Sequence, residues 1–350
     1  MLFLRLKYFF FLPISWLWKT IYRIRRMLYN SQVLKSYEFH LPVISIGNLT
    51  FGGTGKTPFV IWVSKLISDK KKSPVILTRG YRGELESSHG IIKSGEVHGK
   101  QAEKYGDEAI LLARHIDRGA VIVGKNRVKN LTYYIESNRP DAVILDDGFQ
   151  HLKMVRNLNF VLFDCLLPIS QYRTPPLGYF REGLSALKHA DAIILNRSDQ
   201  VPRQKVSEIT RKLKRHTPKG IPYAEVFYRP VSIKDLNFRD VYSIPEAAGL
   251  KVIAATGLAN PEGFFKSLES VGIEIIDRIV FADHHYFTNE DINELILKAK
   301  SLDCYIMVSE KDIVKIRKIT ENPKFHYLEI AVDFLSGKEE IENLVYSCTN

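Results

Sequence analysis

The stretch that most constrains this chain is "VISIGNLTFGGTGKTPFVIWV", residues 43–63. Val43, Ile44 and Ile46 form a short apolar run of the kind that fills a parallel sheet. Gly52, Gly53, Thr54 and Gly55 then form a loop whose glycines let backbone N–H groups turn inward with no Cβ in the way. Lys56 is placed to reach the outer phosphates of a nucleotide, and the hydroxyl of Thr57 to hold Mg²⁺. The helix that follows points its positive end at the anion, and Pro58 is tolerated because a first-turn N–H has no helical partner. The usual spacing puts glycine at position 50, where this chain has Thr50. Strand, loop and helix together predict a phosphate-binding loop.

At 350 residues the chain has room for two domains, or for one large α/β domain with an appendage. With 45% hydrophobic and 25% charged residues it is globular and not disordered. Cys165, Cys304 and Cys348 are odd in number and far apart, so they fit neither a disulfide framework nor a zinc site and favour a reducing compartment.

The net charge of +11 is unevenly placed. Ahead of the first acidic residue, Glu38, stand Arg5, Lys7, Lys19, Arg23, Arg25, Arg26 and Lys35, interleaved with the apolar run "YFFFLPISWLW", residues 8–18. That run is too short to span a bilayer, which takes roughly 20 residues. Phe, Trp and Leu mixed with Lys and Arg suit an amphipathic helix in the headgroup region of an anionic leaflet. The other reading is a helix that covers the sheet. No small-residue cleavage site follows, which argues against a signal peptide. The basic stretch "RQKVSEITRKLKRH", 203–216, comes with no recognition motif, so a solvated helix face is expected there and no nucleic-acid partner.

Further strands are expected in "SPVILTRGYRG" (73–83), "AVIVG" (120–124), "DAVILDD" (141–147), "NFVLFD" (159–164) and "ADAIILN" (190–196). One helix should start near "GDEAILLARHI" and another should pass through Tyr133, and "GIIKSGEVHG" (90–99) reads as a small exposed hairpin. This alternation predicts a three-layer α/β domain of the phosphate-loop type with a mostly parallel sheet. The segment 165–187, with three prolines and two glycines, reads as a functional loop or lid. A smaller α/β unit is expected from Tyr223, with strands "YAEVFY", "KVIAATG", "IEIIDRIVF", "YIMVSE" and "FHYLEI". The expected division is therefore 1–36 for the amphipathic, cationic helix, 37–222 for the phosphate-loop domain and 223–350 for the smaller domain, which closes over the site.

A phosphate site needs a Mg²⁺ carboxylate at the end of a neighbouring strand, and "AVILDDGFQH" supplies Asp146 and Asp147. Charge on both is costly unless cations or donors compensate. Candidates to accept a hydroxyl proton are Asp107, with Glu108, in "YGDEA", and His284, with Asp283 and His285, in "FADHHYF". Anion-neutralising candidates are Arg79, Arg82, Arg127, Arg181 and Lys311, several of them near expected carboxyl ends of strands.

"SIGNLTFGGTGKTP", "TRGYRG", "YGDEA", "GKNR", "ILDDGFQH", "PLGYFRE", "DHH" and "SEKD" follow one another over residues 45–312. In this set the chain resembles the tetraacyldisaccharide 4'-kinases, and the likeness also accounts for Thr50, a variant that family's loop uses. The resemblance implies an ATP- and Mg²⁺-dependent kinase, with 37–222 as its kinase domain. It would phosphorylate the 4'-hydroxyl of an acylated glucosamine disaccharide 1-phosphate in lipid A biosynthesis, at the anionic cytoplasmic face of the inner membrane. It matches Lys56 and Thr57 to the phosphate loop, Asp146 and Asp147 to the metal carboxylates, Asp107 to the base with His284 its dyad partner, and Arg127 and Arg181 to phosphate-holding arginines. It sets no oligomeric state.

Two rival readings remain. "AIILNRSDQ" nearly matches a guanine-reading box, with Asn196 and Asp199 correctly spaced but Arg197 where lysine is wanted, which would suit a GTPase switch. A membrane-associated ATPase scaffold would need no Asp107 or His284.

Overall fold

The alternating strands and helices assemble into one sheet. The computed structural model describes residues 2–52, 55–97, 102–258 and 260–350, with side chains from residue 10 onward. The chain opens with α1 (Leu2–Asn30), β1 (Val43–Asn48), α2 (Lys56–Asp69), β2 (Pro74–Thr78) and β3 (Gly90–Lys93). It continues through α3 (Ala102–Tyr105), α4 (Asp107–His115), β4 (Ala120–Val123), α5 (Arg127–Ile135), β5 (Ala142–Asp146) and β6 (Leu158–Asp164). Next come β7 (Ala192–Asn196), α6 (Arg203–Lys214), β8 (Tyr223–Asp235), β9 (Asp240–Ser243), β10 (Lys251–Thr256) and α7 (Pro261–Ser270). The chain ends with β11 (Glu274–Val280), α8 (Asn289–Ser301), β12 (Tyr305–Val308), α9 (Glu310–Ile316), β13 (Phe325–Ser336) and α10 (Lys338–Thr349).

The sheet has 13 strands in the order β11-β10-β12-β13-β8-β7-β6-β1-β5-β2-β4-β3, with β9 paired to β8 off this path. β1 lies between β5 and β6, both parallel to it, and every residue of β1 and β5 is buried. This continuous burial explains why those strands read as unbroken apolar runs. Ile44, Ile46 and Ile144 pack with Phe59, Val60 and Val63 of α2 on one face, while Val43, Val75 and Val143 pack with Leu131 and Tyr134 of α5 on the other. Helices on both faces leave the carboxyl ends of the parallel strands as the open edge, where ligands bind in such sheets.

Two features differ from expectation. Gly90–Lys93 is not half of a separate hairpin but an antiparallel edge strand on β4, with Ile92 turned into the core. Residues 98–99 of that expected hairpin lie outside the described residues. β8 also runs on past Tyr228 through Pro230, where its pairing with β13 shifts register between Glu329 and Ile330. Proline cannot donate to a ladder, and a bulge accommodates it. β8, which begins at Tyr223, pairs with β7 on one side and β13 on the other, so both halves of the chain share the sheet.

α1 is amphipathic in an inverted sense. Its buried residues beyond position 10 are Ser15 and Arg26, whereas Phe10, Leu12, Ile14, Trp16, Leu17, Ile21, Ile24 and Met27 are exposed. The polar stripe docks on the proline-rich segment. Ser15 Oγ lies 2.6 Å from Thr174 Oγ1, Trp18 Nε1 donates to the Arg181 carbonyl at 2.8 Å, and Arg26 forms a buried ion pair with Glu182 at 2.8 Å. The apolar stripe faces away. Among the described residues no helix is long and apolar enough to cross a membrane.

Candidate active site

The site is built on the carboxyl edge of β1, β2 and β5. Gly55 ends the glycine-rich loop with φ +72°, and α2 starts at Lys56. A Cβ on Gly55 would sit 1.5 Å from Tyr228 Oη, so both conformation and space demand glycine. Tyr228, from β8, donates to the Gly55 carbonyl at 3.0 Å. Thr57 is buried in the first turn of α2. Gly53 and Thr54 lie outside the described residues, and Gly52, with φ +88°, is the loop's other described glycine.

Asp146 and Asp147 follow the buried β5 and have different surroundings. Asp146 is almost fully buried, and Thr78 Oγ1 donates to its Oδ2 at 2.9 Å. Burial, together with the negative charge of Glu108, raises its pKa to about 6. Asp147 takes φ +50° and turns its carboxylate between two cations, with Lys56 Nζ at 3.3 Å and Arg181 Nη1 at 2.6 Å. Burial acts to raise its pKa, but Lys56, Arg181 and Arg127 together hold it well below the usual carboxylate range. Arg127 is placed by the cap of α5, where the Asn126 side chain accepts from the Lys129 N–H at 3.2 Å. The Arg127 guanidinium donates to the Asp147 carbonyl at 3.2 Å.

The second cluster joins distant parts of the chain. Asp107 opens α4 after Gly106, and its Oδ2 lies 3.0 Å from His284 Nδ1. Lys315 Nζ is 3.9 Å from the same oxygen, and Lys311 pairs with the neighbouring Glu108 at 2.6 Å. Burial alone would raise the Asp107 pKa; the His284 hydrogen bond and the Lys311 and Lys315 charges hold it far below its ordinary value. Arg82 donates to the carbonyls of Asp283 and His284 at 3.1 and 3.3 Å, and Tyr286 Oη donates to the Arg82 carbonyl at 3.0 Å. A small cleft opens here, lined among others by Tyr81, Arg82, Asp107, His284 and Lys315.

The structure thus gathers Lys56, Asp147, Arg127 and Arg181 into one cluster with Asp146 alongside, and Asp107 with His284 into another. The influence of Glu108 on Asp146 puts the two within electrostatic reach. Of the other sequence candidates, Arg79 pairs with Glu86 at 2.7 Å and His285 with Asp291 at 2.9 Å. Asn196 donates to Tyr228 and accepts from the Arg197 N–H, and Arg197 pairs with Asp164, so the near match to a guanine box is engaged internally. Sequence reading missed Tyr228, Thr78, Asp312 and Lys315. No local pattern marks Tyr228 or Lys315, although Thr78 opens the "TRGYRG" stretch and Asp312 closes the "SEKD" stretch already singled out.

Fold and site define a mixed α/β enzyme with its charged chemistry at the open edge of a large, mostly parallel sheet. The family described as tetraacyldisaccharide-1-P 4'-kinase matches residues 7–349. The tetraacyldisaccharide 4'-kinase of Halothermothrix orenii is 32% identical over 339 residues, covering 92% of this chain and 88% of that protein. That of Desulfotalea psychrophila is 34% identical, covering 89% of each. The LpxK structure from Aquifex aeolicus, solved in complex with ATP, superposes with a TM-score of 0.75 at 28% identity, covering 97% of this chain and 98% of that one. The chain belongs to the tetraacyldisaccharide 4'-kinase family, ATP-dependent kinases of lipid A biosynthesis.

Proposed function

We propose that this chain binds ATP with Mg²⁺ on the phosphate loop and passes the γ-phosphate to the 4'-hydroxyl of an acylated disaccharide 1-phosphate held in the Asp107–His284 cleft. The observation that carries this reading is the 3.0 Å contact of Asp107 with His284, beside the cleft and within electrostatic reach of the phosphate cluster.

Lys56 and the N-terminus of α2 hold the outer phosphates, with Gly52, Gly53, Thr54 and Gly55 supplying backbone donors. Arg127 and Arg181 neutralise the charge that develops on the transferring group. The donor set fits Mg²⁺: the Thr57 hydroxyl and the Asp146 carboxylate are hard oxygen donors, and Asp146 is a buried acid with no cation paired to it among the described residues. Mg²⁺ supplies charge neutralisation to the phosphates when bound. Asp147, held by Lys56 and Arg181, orients those two cations and is the outer of the two carboxylates.

On the acceptor side, the Asp107–His284 pair takes the hydroxyl proton and aims the oxygen at phosphorus. The pair is divided between the expected kinase domain, 37–222, and the smaller domain, 223–350. It is therefore complete only with the domains together, which limits hydrolysis of ATP without an acceptor. The exposed apolar stripe of α1, in a segment that also carries Lys19, Arg23 and Arg25, lies in the interface of an anionic leaflet as a peripheral anchor on the cytoplasmic face. The docked stripe of the same helix keeps the site beside that surface. The test is transfer of label from γ-labelled ATP to a tetraacyl disaccharide 1-phosphate in micelles. Label in the lipid, lost in Lys56→Ala, is the expected result; ATP hydrolysis with no labelled lipid contradicts it.

A further inference from the structure

Behind the dyad, Asp312 of α9 is fully buried and receives three donors on one oxygen. Ser309 Oγ donates at 2.5 Å, Thr256 Oγ1 at 3.0 Å and the Gly257 N–H at 3.0 Å. Its other oxygen takes Lys315 Nζ at 2.9 Å. Two routes lead from Asp312 to the dyad. Lys315, buried over the Phe287 ring, bridges to Asp107 Oδ2 at 3.9 Å. Gly257, held by its N–H, accepts through its carbonyl from the His284 N–H at 3.1 Å. His284 sits at φ +58°, a conformation a non-glycine residue keeps only where its surroundings hold it.

We infer that Asp312 and Lys315 are positioning residues for phosphoryl transfer, one buried chain that sets both members of the Asp107–His284 pair from behind. The inference rests on the reading of that pair as the proton acceptor. Lys315 lies between two carboxylates, so its charge is compensated where a lone buried ammonium would be costly. Asp312 ties the end of β10 to α9, and a shift of either route displaces one dyad member relative to the other. Misplacement of about 1 Å is enough to slow a positioned reaction roughly 100-fold. A contact that only stabilised α9 would change melting temperature and leave the chemistry alone.

The groups facing Asp107 are His284 from the loop after β11, Lys311 and Lys315 from α9, and Glu108 on its own helix. Arg82 and Glu103 line the same cleft. Removing Lys315 takes away the cation that ties the Asp107 carboxylate to Asp312. The experiment measures kcat and KM for ATP in lipid phosphorylation for Lys315→Met, Asp312→Asn and Asp107→Ala in the full chain. The expected result is kcat lowered roughly 10- to 100-fold in Lys315→Met, with KM for ATP unchanged. Asp312→Asn, which keeps an acceptor for Ser309, Thr256 and Gly257 but drops the charge facing Lys315, should lose kcat in the same direction. It also decides the matter should Lys315→Met fail to fold. Wild-type kcat in both, with Asp107→Ala inactive, would overturn the inference and leave the dyad standing. An active Asp107→Ala overturns the dyad reading and the inference with it.

Discussion

The two halves of the site are made in opposite ways. On the phosphate side, Lys56 opens α2 one short loop after β1, and Asp146 and Asp147 stand at the end of β5, the strand beside it in the sheet. On the acceptor side, Asp107 and His284 are 177 residues apart and meet where the loop that follows β11 reaches the start of α4. One half is preorganised by a rigid sheet, while the other depends on two parts of the chain staying together. The difference suggests a division of labour: the first binds and neutralises whatever the state of the second, and the second commits the phosphate only when assembled.

That contrast can be broken at several points. The largest effect is expected from Lys56→Ala, which removes a cation paired with Asp147 and, under the proposed function, set to hold the phosphates. It should lower kcat by roughly 10²- to 10³-fold, and a steady-state assay with wild-type-like transfer would contradict the phosphate half. Next is Arg26→Ala. Its ion pair with Glu182 is buried on both sides, and Gln150, which also contacts Arg181, donates to Glu182 at 3.0 Å. Leaving Glu182 buried without its partner should cost about 3–5 kcal/mol of stability, readable as a lower midpoint in urea. An unchanged midpoint would mean that α1 gives the phosphate half no support.

Asp146 yields a pH prediction. The folded protein keeps its proton up to about pH 6, against 3.8 for an ordinary aspartate. Its contribution to stability is therefore lost as pH rises through about 6; under the proposed function, Mg²⁺ would offset that loss by binding the ionised form. Mg²⁺ affinity by calorimetry in the presence of ATP should fall about tenfold per pH unit below that value; affinity flat from pH 7 to 5 would remove Asp146 as a ligand. The smallest effect on catalysis belongs to the outer face of α1. Leu17→Ser with Ile21→Ser should reduce sedimentation with anionic vesicles while leaving turnover on a micellar substrate nearly unchanged. Equal vesicle binding would show that another surface makes the contact.

The same contrast explains what could be read in advance. The phosphate loop and the Asp146–Asp147 pair were legible because their residues are contiguous and flanked by unbroken apolar strands. Asp107 and His284 looked unremarkable as local motifs, since acidic residues open many helices, and only resemblance paired them. Tyr228 was read as the last residue of a strand that in fact runs on through Pro230 to Asp235. Its hydroxyl on the Gly55 carbonyl is a contact across 173 residues that no periodicity encodes. Arg26 carried the general basic signal of the N-terminus, but its burial against Glu182 depends on how the proline-rich segment folds back under α1. Sequence could name an amphipathic helix there; that its polar stripe docks and its apolar stripe faces outward is a tertiary fact.

The most direct test of the division of labour uses Asp107→Ala, with ATP affinity and single-turnover transfer to the lipid acceptor measured on the same preparation. The expected result is unchanged ATP affinity with transfer slowed by roughly 10²- to 10⁴-fold. Retained transfer, or loss of ATP binding in parallel with loss of transfer, would contradict a site built from two separable halves.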